Sequence, residues 1–498
     1  MSDEELFVGY EVSTGVIPAF FIESTAPVNI DDPDGKVLPT PDGCVRLPSV
    51  EDALEKIATK LSEQKEPKLV ITVHGFNSPR ESVLKYYTNS FLAADGDDAI
   101  GDRGVVCMGY RWPSEHMGAP WRSGRSAAPL FLVAVLLVAL VVVWYVNFWL
   151  ELCSIPSFFR ILITAVTSFM AIVPITLFLL RVIVYFRDGF RATTYGVPDL
   201  VDIIRLIDGR LETKFKVAGR TGWRADLSFI GHSMGGFVVT NAVRVLSDVF
   251  SPATQPKTRA TGVIAPEDDP LREARSEIGK AFRLKRLVLV SPDIPAEALM
   301  TGRANALHSS LSRFAEAHLF SNEADEVLAN ISTTANFFSL PTRRHQYGFR
   351  LGNVGVLTPW GITKGVTLDR LRLGSRTLEQ LYAGLKSIDF FAPDISRRLT
   401  YFDCTDSIDE QGHGIVSNAD TGHVQSLTLI AHLMLLWDYI YIVKRKPDLP
   451  SGYFEPGFVG RLIYRFACIG YGDSEEAYGQ FEAFSDACKK HQVKGLRN

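Results

Sequence analysis

Short, continuous apolar runs recur along the chain and are its clearest structural signal. They lie at Leu69–Val73, Val105–Tyr110, Leu227–Ile230, Leu287–Val290, Ala317–Phe320 and Leu399–Phe402. Runs of this kind are typical of strands that are buried on both faces. Segments with helical spacing separate them, among them Glu81–Phe91, Asp199–Leu211 and Phe237–Leu246. The alternation predicts an α/β protein with a doubly wound, mostly parallel sheet, and functional residues are expected after the carboxyl ends of the strands.

The flanking segments give further predictions. Phe7–Val12 and Val16–Ile22 have the composition of two early strands. Pro18 favours an edge position for the second strand, because proline cannot donate a hydrogen bond to a neighbouring strand. Phe337–Pro393 is rich in glycine and basic residues and is predicted to be an irregular insertion. Leu399–Phe402 is predicted to be the last core strand.

Two longer apolar runs, Leu130–Leu150 and Ile161–Leu180, interrupt this pattern. Each has about 20 residues, which as a helix matches the roughly 30 Å of hydrocarbon in a bilayer. Trp144, Tyr145 and Trp149 lie towards one end of the first run, as interfacial aromatic residues do. The runs therefore predict a transmembrane helical hairpin. The alternative is a buried helical hairpin in a large soluble core, although soluble helices are rarely apolar on all sides over this length.

The charges that flank the hairpin predict its orientation. Arginines cluster outside both runs, at Arg111, Arg122 and Arg125 before the first and at Arg181, Arg187 and Arg191 after the second. The short linker carries only Arg160 against Glu151. By the positive-inside rule, both outer flanks and the rest of the chain are expected on the cytoplasmic side of the membrane.

Composition excludes several classes of protein. The chain has 498 residues, 22% charged and 46% hydrophobic, so it is a folded protein and not a disordered one. A net charge of −4 gives no reason to expect a nucleic-acid partner. Its 6 cysteines lack C-x-x-C spacing, which argues against a zinc site and a disulfide framework. The acidic N-terminus has no apolar core and is not expected to be a secretory signal.

The strongest chemical motif is Gly231-His232-Ser233-Met234-Gly235, a G-x-S-x-G pentapeptide between a predicted strand and a predicted helix. That context is typical of a nucleophile elbow, in which the serine occupies a strained turn and the glycines permit close packing. The motif alone is weak, and the alternative is a tight strand-to-helix turn that happens to contain serine. In this context Ser233 is the predicted nucleophile.

A nucleophilic serine needs donors for the oxyanion that forms on the substrate. One is expected to be the N–H of Met234, the residue after the nucleophile. The other is expected after an early strand, in His74-Gly75-Phe76-Asn77, where Gly75 allows the Phe76 N–H to face the site. His74 precedes Ser233 in the chain and is predicted to be a supporting residue and not the catalytic base.

The acid and the base of the triad each have two candidates. Asp325 follows the second strand after the elbow and is the preferred acid, with Asp293 as the alternative; either could instead cap a helix. His413, in Gly412-His413-Gly414, is the preferred base, and His423 is the alternative because it could instead cap the next helix. His432, within an apolar segment, is expected to be a core residue.

Together these motifs resemble the uncharacterised bacterial α/β-hydrolases that combine V-H-G-[FY]-N, W-P-S, G-H-S-M-G, P-D and a late G-H. In this chain the motifs are Val73–Asn77, Trp112–Ser114, Gly231–Gly235, Pro292-Asp293 and Gly412-His413. The resemblance covers roughly residues 65–115 and 185–435. It implies an α/β-hydrolase fold and a serine hydrolase triad of Ser233, Asp325 and His413. Tyr185-Phe186-Arg187-Asp188 resembles the helix entry that follows W-P-S in such proteins, so the hairpin resembles an insertion within the hydrolase domain.

The expected organisation is a hydrolase domain in two parts, residues 1–125 and 187–445, with the hairpin at 126–186, an insertion near 337–393 and a C-terminal extension at 446–498. The expected function is a membrane-anchored serine hydrolase that cleaves a carboxylic ester or thioester, with a lipid-like or small ester substrate and without a metal or organic cofactor. The alternatives are a catalytically inactive membrane scaffold with the same fold, or a transport accessory built on the hairpin.

Overall fold

A computed structural model describes most of the chain, and the statements below concern those residues. They are 6–13, 15–28, 39–101, 103–114, 130–153, 156–247, 276–300, 305–325, 327–339, 349–357, 361–364, 368–383, 395–408, 414, 451–454, 457–477 and 481–497. In the two hairpin helices, side chains are described for residues 141–152 of the first and for 157–165, 179 and 181–191 of the second.

The strands are short, as the apolar runs predicted. They lie at Phe7–Val12 (β1), Ala19–Ser24 (β2), Cys44–Arg46 (β3), Lys68–Val73 (β4), Val105–Arg111 (β5), Ala225–His232 (β6), Glu277–Ile278 (β7), Phe282–Val290 (β8), Glu316–Ser321 (β9), Gly355–Val356 (β10), Gly361–Lys364 (β11), Leu371–Leu373 (β12), Arg376–Thr377 (β13), Leu399–Asp403 (β14) and Lys494–Arg497 (β15).

The helices separate most of these strands. They lie at Val50–Glu63 (α1), Arg80–Asp95 (α2), Leu130–Leu152 (α3), Ser157–Arg191 (α4), Val197–Val217 (α5), Met234–Leu246 (α6), Glu297–Met300 (α7), Ala306–Leu311 (α8), Thr333–Ser339 (α9), Leu378–Ala383 (α10), Phe458–Cys468 (α11), Gly470–Ala477 (α12) and Phe481–Lys490 (α13). Two π-helical segments occur at Ala192–Gly196 and Val327–Ser332. Short 3₁₀ segments lie at Leu351–Asn353, Leu368–Arg370, Ile395–Arg398 and Ser451–Phe454.

One large sheet forms the centre of the molecule. Its strand order is β11-β15-β14-β9-β8-β6-β4-β5-β2-β1-β3, with β7 paired to β8. All neighbours from β2 to β14 are parallel, and antiparallel pairs occur only towards the edges and at β7. The prediction of an α/β protein with a mostly parallel central sheet is therefore confirmed.

Helices cover both faces of this sheet because each buries an apolar stripe against it. On one face Leu54 of α1, Ile204 of α5 and Val239 of α6 belong to a single buried cluster. On the other face Tyr87 of α2 and Ile463 of α11 belong to a second. Ser49 caps the start of α1, since its hydroxyl accepts a hydrogen bond from the Asp52 N–H at 3.1 Å.

The strand order reverses direction at β4, and this reversal positions the candidate site. From β4 the chain passes to β5 on one side and then returns to β6 on the other. Val73 at the end of β4 pairs with Gly231 of β6, and His232 pairs with Val290 of β8. The loops that follow these strands therefore begin at the same level of the sheet. In an open α/β sheet, ligands bind in the crevice at such a switch point.

The two helices α3 and α4 pack against each other as a hairpin. Large apolar side chains stand exposed along the described part of it, among them Trp144 at 67% and Phe158 at 72%. From Arg181 onward α4 is largely buried in the α/β domain, and the π-helical segment joins it to α5. Within the described residues, no helix meets the length and hydropathy required to cross a membrane.

Three predictions about the flanking segments were wrong in detail. Pro18 does not mark an edge strand: it precedes β2, which lies between β1 and β5, and its carbonyl accepts a hydrogen bond from the Cys107 N–H at 2.9 Å. The 337–393 segment is not wholly irregular, because β10, β12 and β13 form a small sheet within it and β11 joins the main sheet. Nor is β14 the last strand, since β15 pairs with it in antiparallel fashion.

Candidate active site

Ser233 occupies a strained turn between β6 and α6. Its backbone has φ 50° and ψ −120°, a conformation that a residue with a side chain rarely adopts. Hydrogen bonds hold the turn on both sides: the Ser233 N–H donates to the Val290 carbonyl at 2.9 Å, and the Ser233 carbonyl accepts from the Asp293 N–H at 3.0 Å. This backbone geometry is that of a nucleophile elbow.

Glycines allow the neighbouring loop to approach the elbow. A Cβ on Gly75 would lie 2.8 Å from the Ser233 Cβ. A Cβ on Gly235 would lie 2.2 Å from the Val73 carbonyl oxygen, and one on Gly231 would lie 2.7 Å from the Gly236 Cα. Each contact is far shorter than an ordinary van der Waals separation, so these positions require glycine at this spacing.

Backbone strain is concentrated at this edge of the sheet. Among the described residues other than glycine, positive φ angles occur at Asn77, Ser233, Ser291 and Gln492. The first three follow the carboxyl ends of the adjacent strands β4, β6 and β8. Strained residues of this kind persist where the surrounding structure imposes them, and they cluster at functional sites.

The loop after β4 carries Phe76, whose N–H is one of the two predicted oxyanion donors. No hydrogen bond from the Phe76 N–H or the Met234 N–H is found among the described residues. Met234 begins α6, where a backbone N–H has no acceptor within the helix. The Phe76 ring packs edge-on against Tyr185 of α4, with ring centroids 5.6 Å apart. Both N–H groups are therefore available on the two loops that meet at the elbow.

Two histidines beside the elbow have supporting roles. The His74 ring stacks on Trp112 at 5.1 Å, and the His74 carbonyl accepts a hydrogen bond from the Trp112 indole at 3.0 Å. Burial lowers the pKa of His74 to about 3 and that of His232 to about 4. Both imidazoles are therefore neutral near pH 7, and His74 supports the loop structurally, as its place in the chain suggested.

The structure reveals a further residue at this loop, Asp188, whose role the sequence did not predict. It is fully buried in the last turn of α4. Its carboxylate accepts hydrogen bonds from the Asn77 N–H and the Ser114 hydroxyl, both at 2.8 Å. The only hint in the sequence was the resemblance of the Tyr185–Asp188 segment to a helix entry, which did not indicate a contact with the loop after β4. This loop, residues 74–78, is called the oxyanion loop below because it carries the predicted Phe76 donor.

Asp325, the preferred acid, lies just after β9 and is buried. One carboxylate oxygen accepts from the N–H groups of Val327 and Leu328, each at 3.1 Å, and the other accepts from the Ser291 hydroxyl at 2.9 Å. Burial raises the pKa of Asp325 to about 6, although these hydrogen bonds lower it. Asp325 thus caps the following helical segment, as the alternative interpretation expected, and it is also tied to the loop after β8.

Asp293, the alternative acid, is engaged differently. Its carboxylate lies 3.0 Å from the Arg350 guanidinium, and both side chains are buried. It also accepts a hydrogen bond from the Ser332 hydroxyl at 3.1 Å. Each candidate acid is thus already engaged, Asp325 by three neutral donors and Asp293 by a buried arginine, and the choice between them stays a prediction.

Both candidate bases, His413 and His423, lie outside the described residues, and so does His432. Gly414, the residue after His413, is described and forms an antiparallel bridge with Ile408, five residues beyond the end of β14. The described part of the chain therefore holds the predicted nucleophile, the predicted oxyanion donors and both candidate acids, and all of these roles, like the choice of base, stay predictions.

Comparisons with protein-family models, with curated proteins and with solved structures found no match to this chain. The resemblance to the bacterial α/β-hydrolases therefore stays a prediction, and function has to be argued from the site itself. Within the described residues, no group of three or more histidine, cysteine or acidic side chains has the arrangement of a metal site. The chemistry that these residues can support is nucleophilic attack by a serine beside two backbone donors.

Proposed function

We propose that the protein is a serine hydrolase of the α/β-hydrolase kind, which cleaves a carboxylic ester or thioester through an acyl-enzyme. The observation that carries the proposal is the backbone of Ser233, held at φ 50° where the loop after β4 comes close enough to require Gly75. A nucleophile that must project from the sheet towards a substrate occupies a sharp, strained turn of this kind between a strand and a helix.

The proposed reaction has two steps. The Ser233 hydroxyl attacks the substrate carbonyl while His413 takes the hydroxyl proton, and the N–H groups of Phe76 and Met234 stabilise the oxyanion. The C–O or C–S bond then breaks, and His413 returns the proton to the departing alcohol or thiol. Water repeats the sequence on the acyl-enzyme and releases the carboxylic acid. Asp325 orients the imidazole throughout, with His423 as the alternative base.

The apolar hairpin supports an anchor in a lipid bilayer. In the sequence, Leu130–Leu150 holds no charged residue, and Trp144, Tyr145 and Trp149 lie towards one end. In the described part of the hairpin, large apolar side chains are exposed, including Trp149 at 52% and Ile161 at 65%. A surface of this kind is unfavourable in water and favourable in lipid. The protein is therefore proposed to lie in a membrane, which it spans twice, with its hydrolase domain on the cytoplasmic side.

This anchor favours an amphiphilic substrate over a small soluble ester. One continuous helix, α4, carries exposed Phe158 and Phe159 near its start and packs Tyr185 against the oxyanion loop near its end. A single rigid element thus links the proposed bilayer segment to the proposed site. These two positions on one helix are what favours a substrate with a long acyl chain.

Purified full-length protein in detergent provides the test. We expect hydrolysis of p-nitrophenyl esters, with kcat/KM rising as the acyl chain lengthens, and hydrolysis of phospholipid or long-chain thioesters in mixed micelles. Ser233→Ala is expected to abolish all of it. Activity that is the same for wild type and Ser233→Ala would overturn the hydrolase proposal, and a folded protein that is inactive on every substrate would support the scaffold. A preference for short, soluble esters would overturn only the proposed substrate class.

A further inference from the structure

Asp188 joins three separate parts of the chain at one buried carboxylate. One oxygen accepts from the Asn77 N–H of the oxyanion loop and from the Ser114 hydroxyl of the W-P-S turn, both at 2.8 Å. The other oxygen accepts from Arg187 at 2.9 Å and from Arg191 at 3.4 Å. Asp188 itself belongs to α4, the second helix of the hairpin.

These bonds fix the peptide unit that follows Phe76. Its N–H, that of Asn77, donates to Asp188, and its carbonyl, that of Phe76, accepts from the Ser78 hydroxyl at 3.1 Å. The Ser78 N–H donates to the Ser114 hydroxyl oxygen, again at 3.1 Å. Asn77 itself has φ 55°, a left-handed conformation that asparagine tolerates better than most residues with a side chain. Because this plane is fixed, the direction of the adjacent Phe76 N–H is restricted too.

We infer that Asp188 is a positioning residue, which holds the Phe76 N–H in the direction needed to stabilise the oxyanion. The inference rests on the proposed function and adds to it, since Asp188 touches neither the substrate nor Ser233. Asp188 belongs to α4 and is paired with two arginines of that helix. The position of α4 therefore determines whether the oxyanion loop has the conformation needed to stabilise the oxyanion. A purely structural ion pair with Arg187 and Arg191 is the alternative role.

Asp188→Asn distinguishes the positioning role from the ion-pair role without changing the size of the side chain. An asparagine side chain has one acceptor oxygen, so it cannot accept from both sides as the carboxylate does. The two arginines attract that oxygen, which leaves an NH₂ group facing the Asn77 N–H donor. The peptide plane then loses its restraint. Misplacement of a reacting group by about 1 Å can cost about 100-fold in rate, and loss of an oxyanion donor costs about 100- to 1,000-fold.

The experiment measures kcat and KM for an oxo-ester and for the matching thiono-ester, whose sulfur is a weaker hydrogen-bond acceptor. With the oxo-ester we expect Asp188→Asn to lower kcat about 100-fold, with KM within about twofold of wild type. With the thiono-ester we expect a loss of about tenfold or less, because it depends less on the N–H donors. Asp202→Asn is the matched control: Asp202 is exposed on the neighbouring helix α5, 3.7 Å from Arg205, and this variant should behave as wild type.

Ser114→Ala is the second variant, in case Asp188→Asn does not fold. It removes the hydroxyl that links Ser78 to Asp188 and leaves the buried charges intact. We expect about a tenfold loss of kcat with the oxo-ester and a lower thermal midpoint, because the Ser78 N–H and Asp188 each lose a hydrogen-bond partner. Oxo- and thiono-ester rates that fall equally, or a wild-type kcat in the folded variant tested, would overturn the positioning role. Either result would leave the Ser233-dependent activity, and so the proposed function, intact. If the wild-type protein had no Ser233-dependent activity, both the proposed function and the positioning role would be refuted.

Discussion

Gly235 offers a sharp test of the close packing at the elbow. It is the second residue of α6, where alanine would ordinarily be preferred to glycine by up to about 1 kcal/mol. Here a Cβ would lie 2.2 Å from the Val73 carbonyl oxygen and 2.6 Å from the His74 carbonyl oxygen. Both are backbone atoms at the end of β4, so relief requires the oxyanion loop to move away from Ser233. We expect Gly235→Ala to cost about 1–3 kcal/mol or more from overpacking.

The displacement should affect catalysis as well as stability. A shift of about 1 Å between the loop and the elbow is expected to lower kcat about 100-fold. Gly209→Ala is the matched control, because Gly209 lies within α5 and a Cβ there would meet no atom within 4 Å. That variant should be as active as wild type and more stable by up to about 1 kcal/mol. Thermal unfolding and ester hydrolysis on both variants provide the measurements. A Gly235→Ala protein that is as stable and as active as wild type would refute the account of this packing.

Further predictions concern the acids, the base and the hairpin. Since burial raises the pKa of Asp325 to about 6 from an ordinary 3.8, ionising it costs the folded state stability. Stability should therefore fall by about 3 kcal/mol as pH rises from about 4 to 6, at 1.36 kcal/mol per pH unit, and Asp325→Asn should remove this slope in pH-dependent unfolding. Activity of the wild type should rise with pH through the same range. At pH 8, kcat for Asp325→Asn should be about 10⁴-fold below that of the wild type. A decrease in kcat of less than about tenfold would exclude Asp325 as the triad acid. Arg350→Met should cost about 3–5 kcal/mol in thermal unfolding, since it leaves Asp293 buried and unpaired, and a stable variant would contradict the ion pair. His413→Ala should abolish phosphonylation of Ser233 by a fluorophosphonate while His423→Ala retains it; the reverse result would exchange their roles. Membranes that contain the full chain should retain it after alkaline carbonate extraction, and its release would contradict the bilayer anchor.

The sequence predicted the sheet and the elbow well because both depend on local signals. Val105–Tyr110 and Leu287–Val290 are apolar without interruption, so burial on both faces follows directly. In the structure the first of these strands continues to Arg111, and the second begins earlier, at Phe282. Both extensions contain charged residues, which end the apolar pattern in the sequence. The strain at Ser233 could likewise be expected, since strand, turn and helix adjoin within a few residues.

Long-range contacts could not be predicted in this way. Strand β15 has the sequence Lys-Gly-Leu-Arg, which carries no apolar run, and it forms because β14 offers a free edge. Asp188 lies 111 residues from Asn77, and only the folded chain brings them together. The buried ion pair between Asp293 and Arg350 could not be predicted from the sequence either. In each case the deciding partner is distant in sequence and leaves no local pattern.

Covalent labelling is the most direct test of whether Ser233 is a nucleophile. The full-length protein would be treated with a fluorophosphonate, digested, and mapped by mass spectrometry. A single stoichiometric adduct is expected on Ser233, which Ser233→Ala lacks and denatured protein does not form. A folded protein that forms no adduct, or an adduct that maps to another serine, would contradict it.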